Sequence, residues 1–213
     1  MSLGIICCQS LEQEIKAIIR DVPEVTHLEV MNWKLHIDPD LLLKTVAERI
    51  EVLQNHVDAV MLGYGRCQAM DRLPNHFKVP IFRPDADDCI GILLGQDRYE
   101  KELYQEAGTW FFTPGWTEMG MEFIFHELQI SQLVDKFTEK GKDPMDLARR
   151  MLKDYTRGLF IDVAVGDRAD LMKKAKMISE EFNFRLERTC GSLQLLEDTF
   201  KKALDSIKAN KLL

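Results

Sequence analysis

Cys67 and Cys89 close two apolar runs of the chain, VDAVMLGYGRC and KVPIFRPDADDC. A thiol at the end of a strand can be a metal ligand, a redox group or a nucleophile, and each role needs a stabilised thiolate. Arg66 stands beside Cys67 and is placed to lower its pKa, so the two form a candidate catalytic pair. Asp87 and Asp88 act the other way on Cys89, which therefore reads as a metal ligand or a structural thiol. The competing reading for both is a buried small hydrophobe, a common fate of cysteine.

Three further positions extend this set. Cys7 and Cys8 are adjacent, so in a strand they face opposite ways, and Cys8 lies nearer the strand end. His36 precedes Ile37-Asp38-Pro39, and imidazole suits zinc and iron. Asp38 is placed to orient the ring. Cys8, His36, Cys67 and Cys89 together offer three thiolates and one imidazole, a tetrahedral zinc set. The same thiols could hold mononuclear iron or an iron–sulfur cluster. The spacing has none of the close pairing of a zinc knuckle or a ferredoxin. Cys190 is assigned a structural role.

Around these ligands stand candidate substrate contacts. Gly63 and Gly65 allow close backbone approach, and Tyr64 between them offers an aromatic wall. The run is not a dinucleotide fingerprint, which needs three spaced glycines. Arg83 is placed to grip an anionic group or to pair with Asp85, Asp87 or Asp88, and Asp88 is grouped with the substrate contacts. Trp116, just past a Pro-Gly turn, is the candidate for stacking on a flat ligand. His126 lacks the second histidine of a metalloprotease helix and is read as packing or surface.

The elements that must position these residues alternate. Strands are expected at Leu3–Cys8, Val25–Val30, Val57–Leu62, Val79–Phe82, Thr109–Phe112, Leu159–Val165 and Phe184–Glu187. Helices are expected between them, among them a long one over 117–140. This pattern predicts an α/β fold of three layers, a mostly parallel sheet with helices on both faces, Rossmann-like in architecture. The chain reads as a single domain over 1–213, with room for two intimately packed halves, 1–116 and 145–213, joined by that helix. In one parallel sheet Cys8, His36, Cys67 and Cys89 all fall at or just past the carboxyl edge, where open α/β sheets bind ligands.

The totals set outer bounds. The 213 residues are 46% apolar and 30% charged, as in an ordinary globular protein, and the net charge is -7. That balance, with no basic stripe, argues against a nucleic-acid partner. No apolar stretch is long enough for a membrane span, and MSLGIICCQS lacks the basic start of a signal peptide. Five cysteines without scaffold-like spacing predict reduced thiols and a cytoplasmic location. A small-molecule partner and a homo-oligomer are both compatible with this composition.

The N-terminal strand ending in cysteine, His36-Ile37-Asp38-Pro39, Leu62 to Cys67 and Arg83 to Ile90 carry a family resemblance. It continues through Leu94-Gly95 with Tyr99 and through Gly108-Thr109 to Pro114-Gly115-Trp116. These motifs, over about the first 120 residues, resemble the prokaryotic DUF1638 family. The family pattern has asparagine where Ile37 stands and glycine where Gln68 stands. The resemblance implies a setting beside corrinoid-dependent methyltransferases, with a corrinoid or methyltransferase protein as partner and a corrinoid contact. The chain lacks a D-x-H-x-x-G pattern, since His36 precedes Asp38, so the resemblance implies a partner, activator or small enzyme and not the cobalamin carrier. The combined expectation is a metal-binding small-molecule enzyme or accessory protein in corrinoid-linked one-carbon metabolism. The alternatives are a non-catalytic cofactor- or partner-binding protein and a transferase with Cys67 as nucleophile.

Overall fold

The structure, a computed structural model, describes residues 1–139, 141 and 143–209. The fold is α/β, with parallel sheets flanked by helices on both faces. The strands form two sheets, of four and three strands, and not the one expected. They belong to two compact units, one of residues 1–97 with 191–213 and the other of 98–190.

The first unit contains β1 (Leu3–Cys8), α1 (Glu12–Ile18), β2 (Val25–Met31), α2 (Pro39–Leu53), β3 (Ala59–Gly63), β4 (Ile81–Phe82) and α3 (Cys89–Leu94). The sheet order is β2-β1-β3-β4, all parallel. The two central strands are almost wholly buried, as their unbroken apolar runs LGIICC and AVMLG require when both faces are covered. Edge strand β2 is half-buried, with Thr26, His27 and Val30 exposed. On one face Ile6, Val60, Leu62 and Tyr64 pack with Leu42, Val46, Ile50 and Leu53 of α2, one apolar stripe at helical spacing. Asp38 caps α2 by accepting from the Leu41 N–H at 3.0 Å, with Pro39 in the first turn, so its role is to start a helix. The chain closes this unit with a C-terminal helix whose buried side chains include Leu196, Phe200, Ala203 and Ile207.

The second unit takes over within α4 (Gln96–Gln105) and continues with β5 (Thr109–Phe112), α5 (Pro114–Glu127), α6 (Val134–Glu139), α7 (Pro144–Met151), β6 (Arg157–Asp162), α8 (Arg168–Phe182) and β7 (Arg185–Cys190). Its sheet order is β5-β6-β7, again parallel, with β6 buried along its whole length. The C-terminal helix of the first unit is α9 (Gln194–Ala209).

The long helix expected over 117–140 does not form. Gly120 interrupts α5 with a φ of 62°, and Gln129 ends it at a φ of 56°. The Ile130 N–H reaches the Phe125 carbonyl at 2.7 Å and the Gln129 N–H reaches that of His126 at 2.8 Å. That is a Schellman cap with glutamine in the left-handed position, where glycine is usual. The expected end at residue 140 lies outside the described residues. No helix of the described residues is long and apolar enough to cross a membrane.

Candidate functional site

The register of the first sheet brings the cysteine loops together. Cys7 pairs with Gly63 across β1–β3, and Cys8 pairs with Met31 across β1–β2. Cys8 packs against the α2 face with Cys67. Gly63 matters on the other face, because a Cβ there would lie 2.5 Å from that of Cys7.

Past β3 the chain is zipped to the loop before α3. The Arg66 N–H donates to the Ala86 carbonyl at 2.8 Å and the Cys67 N–H to that of Asp87 at 2.7 Å. Gly65 makes this approach possible, since a Cβ there would sit 2.7 Å from the Ala86 oxygen and 2.9 Å from the Asp88 nitrogen. Cys67 and Gln68 then both take left-handed backbone, with φ of 45° and 57°. Each costs roughly 1–2 kcal/mol for a residue with a Cβ. The glycine that the resemblance implies at 68 would adopt it freely.

Three thiols, at or past the ends of three strands, therefore lie within electrostatic reach of one another. The Ser10 hydroxyl donates to Cys8 Sγ at 3.1 Å and its N–H at 3.5 Å. Ser10 also acts on Cys89, the first residue of α3, drawing its thiol slightly down. Burial, then the neighbouring Cys8 and Asp88, push the Cys67 thiol up to about 12. Burial raises Cys8, partly offset by Ser10. Burial, then Asp88, Cys67 and Cys8, hold Cys89 well above the ordinary thiol range. Tyr64 is buried with them and raised for the same first reason, then by the three thiols Cys8, Cys7 and Cys67. All five cysteines are free, and only Cys190 is exposed.

The charged residues divide differently from the sequence expectation. Arg66, the expected activator of Cys67, is engaged by carboxylates. It turns outward onto Asp87 at 2.6 Å and Asp85 at 2.8 Å, and is not among the groups that move the Cys67 thiol. Arg83 pairs with Asp71 instead, and it is Arg83 that offsets part of the rise at Cys67. The Arg83 Nη1 is buried with no hydrogen-bond partner. Asp88 caps α3, accepting from the Ile90 and Gly91 N–H groups at 2.9 Å each. Its carboxylate is thus held by the helix it starts.

His36 sits half-buried in the 3-10 turn Trp33–Ile37 that follows β2. Among the described residues no group of three or more His, Cys, Asp and Glu could hold a metal ion as they stand. Neither the four residues Cys8, His36, Cys67 and Cys89 nor the three thiols alone are spaced as such a group. Trp116 belongs to the second unit, where it stacks on Phe123 at 4.6 Å.

The profile of a family described as "Protein of unknown function (DUF1638)" matches residues 30–200. The chain belongs to the DUF1638 family. The match reaches well beyond the first 120 residues that carried the resemblance. No curated protein matches the chain. In this DUF1638 member Cys67, Arg83 and Cys89 lie inside the matched segment, while Cys8 and Ser10 precede it.

Two residues of the first unit escaped sequence reasoning. Ser10 reads as a helix cap from its position, and only its two-residue spacing from Cys8 hinted at a thiol partner. Glu14 reads as an ordinary surface position of α1. It is fully buried, and neither carboxylate oxygen has a hydrogen-bond partner. Burial pushes it up to about 7.

Proposed function

We propose that the carboxyl edge of β1, β3 and β4 binds a thiophilic metal ion, zinc or iron, through Cys8, Cys67 and Cys89. The chain around it would be a small-molecule enzyme or accessory protein of one-carbon metabolism. The observation that supports this is three thiols, at or past the ends of three strands, within electrostatic reach of one another beside Ser10. Soft thiolate donors suit zinc, iron and iron–sulfur centres. As they stand these thiols could not hold an ion, so loading requires them to draw closer. The donor chemistry fits, and the spacing of the thiols as they stand does not.

Such an ion would supply Lewis acidity and deprotonate its thiol ligands. The chain's own residues do the rest. Arg83 keeps one guanidinium nitrogen buried and unpartnered beside Cys67, which suits an anionic group on a substrate. Tyr64, neutral across the working pH range, walls the site. The corrinoid setting is supported by family resemblance alone. In it this protein would be a partner of the methyltransferase and not the cobalamin carrier.

A nucleophilic Cys67 is the weaker reading, because a thiol raised to about 12 is almost never a thiolate at neutral pH. The test is metal analysis with ultraviolet–visible spectroscopy on protein purified without oxygen. We expect about one equivalent of zinc or iron per chain, falling severalfold in Cys8→Ser and Cys89→Ser. Less than about a tenth of an equivalent, with no uptake on reconstitution, would overturn the reading.

A further inference from the structure

The second sheet has a carboxyl edge of its own, and its side chains are of another kind. Asp162, the last residue of β6, is buried. Its Oδ2 accepts from Arg168 of α8, through Nε at 3.1 Å and Nη2 at 2.6 Å, and also from Arg188 of β7. Its Oδ1 accepts the Ala164 N–H at 2.9 Å. One carboxylate oxygen thus anchors two arginines whose side chains are 51% and 52% exposed.

A third arginine stands at the same strand end. Arg98 of α4 donates to the Cys190 carbonyl at 2.7 Å and to the Thr189 hydroxyl, both neutral acceptors. Cys190 links the group. It pairs with Asp162 across β6–β7, and its thiol lies within electrostatic reach of Arg168.

In a chain of net charge -7, this edge carries three arginines against the buried Asp162 and the exposed Asp167. Asp167 is also near, but it is turned onto its own helix, capping the Ala169 and Asp170 N–H groups. The capped helix end is therefore not the source of donors. The arginine side chains are. Among the described residues Arg168 Nη1, and Arg188 Nε and Nη1, donate to no acceptor.

We infer that this edge is a binding site for a phosphate group, held by Arg168 and Arg188 with Arg98 beside them. Asp162 is a positioning residue, because it fixes the two guanidinium groups without spending all their donors. Ligands of open α/β sheets lie past the carboxyl ends of the strands. A planar carboxylate engages one guanidinium fork, whereas the several oxygens of phosphate can use donors arriving from separate elements. The site is built from the second unit and is independent of the thiol reading.

The test is calorimetric titration of the full chain at low ionic strength, with inorganic phosphate and glycerol 3-phosphate as separate arms and acetate as the control. We expect saturable one-site binding, weakened at least about tenfold in Arg168→Gln and Arg188→Gln, as loss of a charge-assisted hydrogen bond predicts. Tighter binding of the ester would assign the site to a phosphorylated metabolite, and equal binding to the free anion. Were either variant to fail to fold, the arginine Nε–H resonances of the wild-type chain give the same answer, shifting on phosphate addition at Arg168 and Arg188. Three results would each overturn the inference. They are no saturation up to about 10 mM phosphate, affinity unchanged in both variants, and acetate binding as tightly as phosphate.

Discussion

At the carboxyl edge of β1, β3 and β4 the side chains that gather are thiols, a tyrosine and a serine, buried or half-buried and neutral, with Arg83 and Asp88 beside them. At the carboxyl edge of β5, β6 and β7 they are arginines around an aspartate, half-exposed and ionised. The backbone plan is the same, parallel strands feeding loops on one side. The protonation states are opposite although both edges bury an acidic group. Burial holds Cys8, Cys67 and Cys89 in the neutral form. At Asp162 burial also favours the neutral acid, but hydrogen bonds from Arg168, Ala164 and Arg188 outweigh it and keep the carboxylate ionised. A sheet edge thus takes its chemistry from whether counter-charges accompany the buried group.

Thiol reactivity gives the widest separation between the two edges. Cys190 is exposed, while Cys67 is half-buried with its thiol pushed up to about 12. A maleimide time course at pH 7.5, read by mass spectrometry, should label Cys190 faster than Cys8, Cys67 or Cys89 by on the order of 10³. Comparable rates at Cys67 and Cys190 would mean that the buried edge opens readily, and the contrast would collapse.

Glu14 sharpens the role of counter-charge, because it is a buried acid that has none. Its pKa rises from 4.5 to about 7 on folding. The folded state therefore binds the proton more tightly than the unfolded chain does. Stability is unaffected below pH 4.5, falls as pH rises through 7, and by pH 8 has lost about 3 kcal/mol. Glu14→Gln should remove most of that fall. Chemical denaturation of both proteins at pH 5 and pH 8 checks it, and parallel pH profiles would show that Glu14 finds a cation in solution.

Gly65 tests the packing beneath the thiol edge. Alanine there would press its methyl against the Ala86 carbonyl and the Asp88 N–H, backbone atoms that cannot swing aside. Gly65→Ala should cost about 2 kcal/mol, as overpacking does. It should also speed labelling of Cys67 and Cys89, because the zipped loops must part. Denaturation midpoints with the same labelling assay separate this from a local, harmless shift.

The fold was largely legible because strand and helix periods are written in apolar spacing. Leu3–Cys8 and Thr109–Phe112 coincide with β1 and β5. The split into two sheets was not legible, since strand order depends on long-range pairing that no local pattern encodes. The end of α5 was missed because its cap uses glutamine and not glycine. At the site, the strand-end cysteines were readable from their position. The partners of Arg66 and Arg83 were not, since five aspartates, at 71, 85, 87, 88 and 97, stand close in sequence, and only the folded loops choose among them. The arginine edge stayed hidden for the same reason, with Arg98, Asp162, Arg168 and Arg188 scattered through the second unit.

Arg66 offers the smallest effect and a sharp decision. Its guanidinium reaches Asp85 and Asp87 across the surface, with side-chain exposures of 43%, 86% and 51%. Ion pairs so open to water are screened by salt and contribute little. Arg66→Ala should therefore leave the denaturation midpoint almost unmoved at physiological ionic strength. Were Arg66 the activator of Cys67, the same substitution would slow labelling of that thiol severalfold by raising its pKa further. The outward geometry predicts no change in the Cys67 rate, whereas Arg83→Gln, which removes the cation that does reach that thiol, should slow it. A Cys67 rate that follows Arg66 and ignores Arg83 would return the cysteine to the nucleophile reading and give the buried edge a charge of its own.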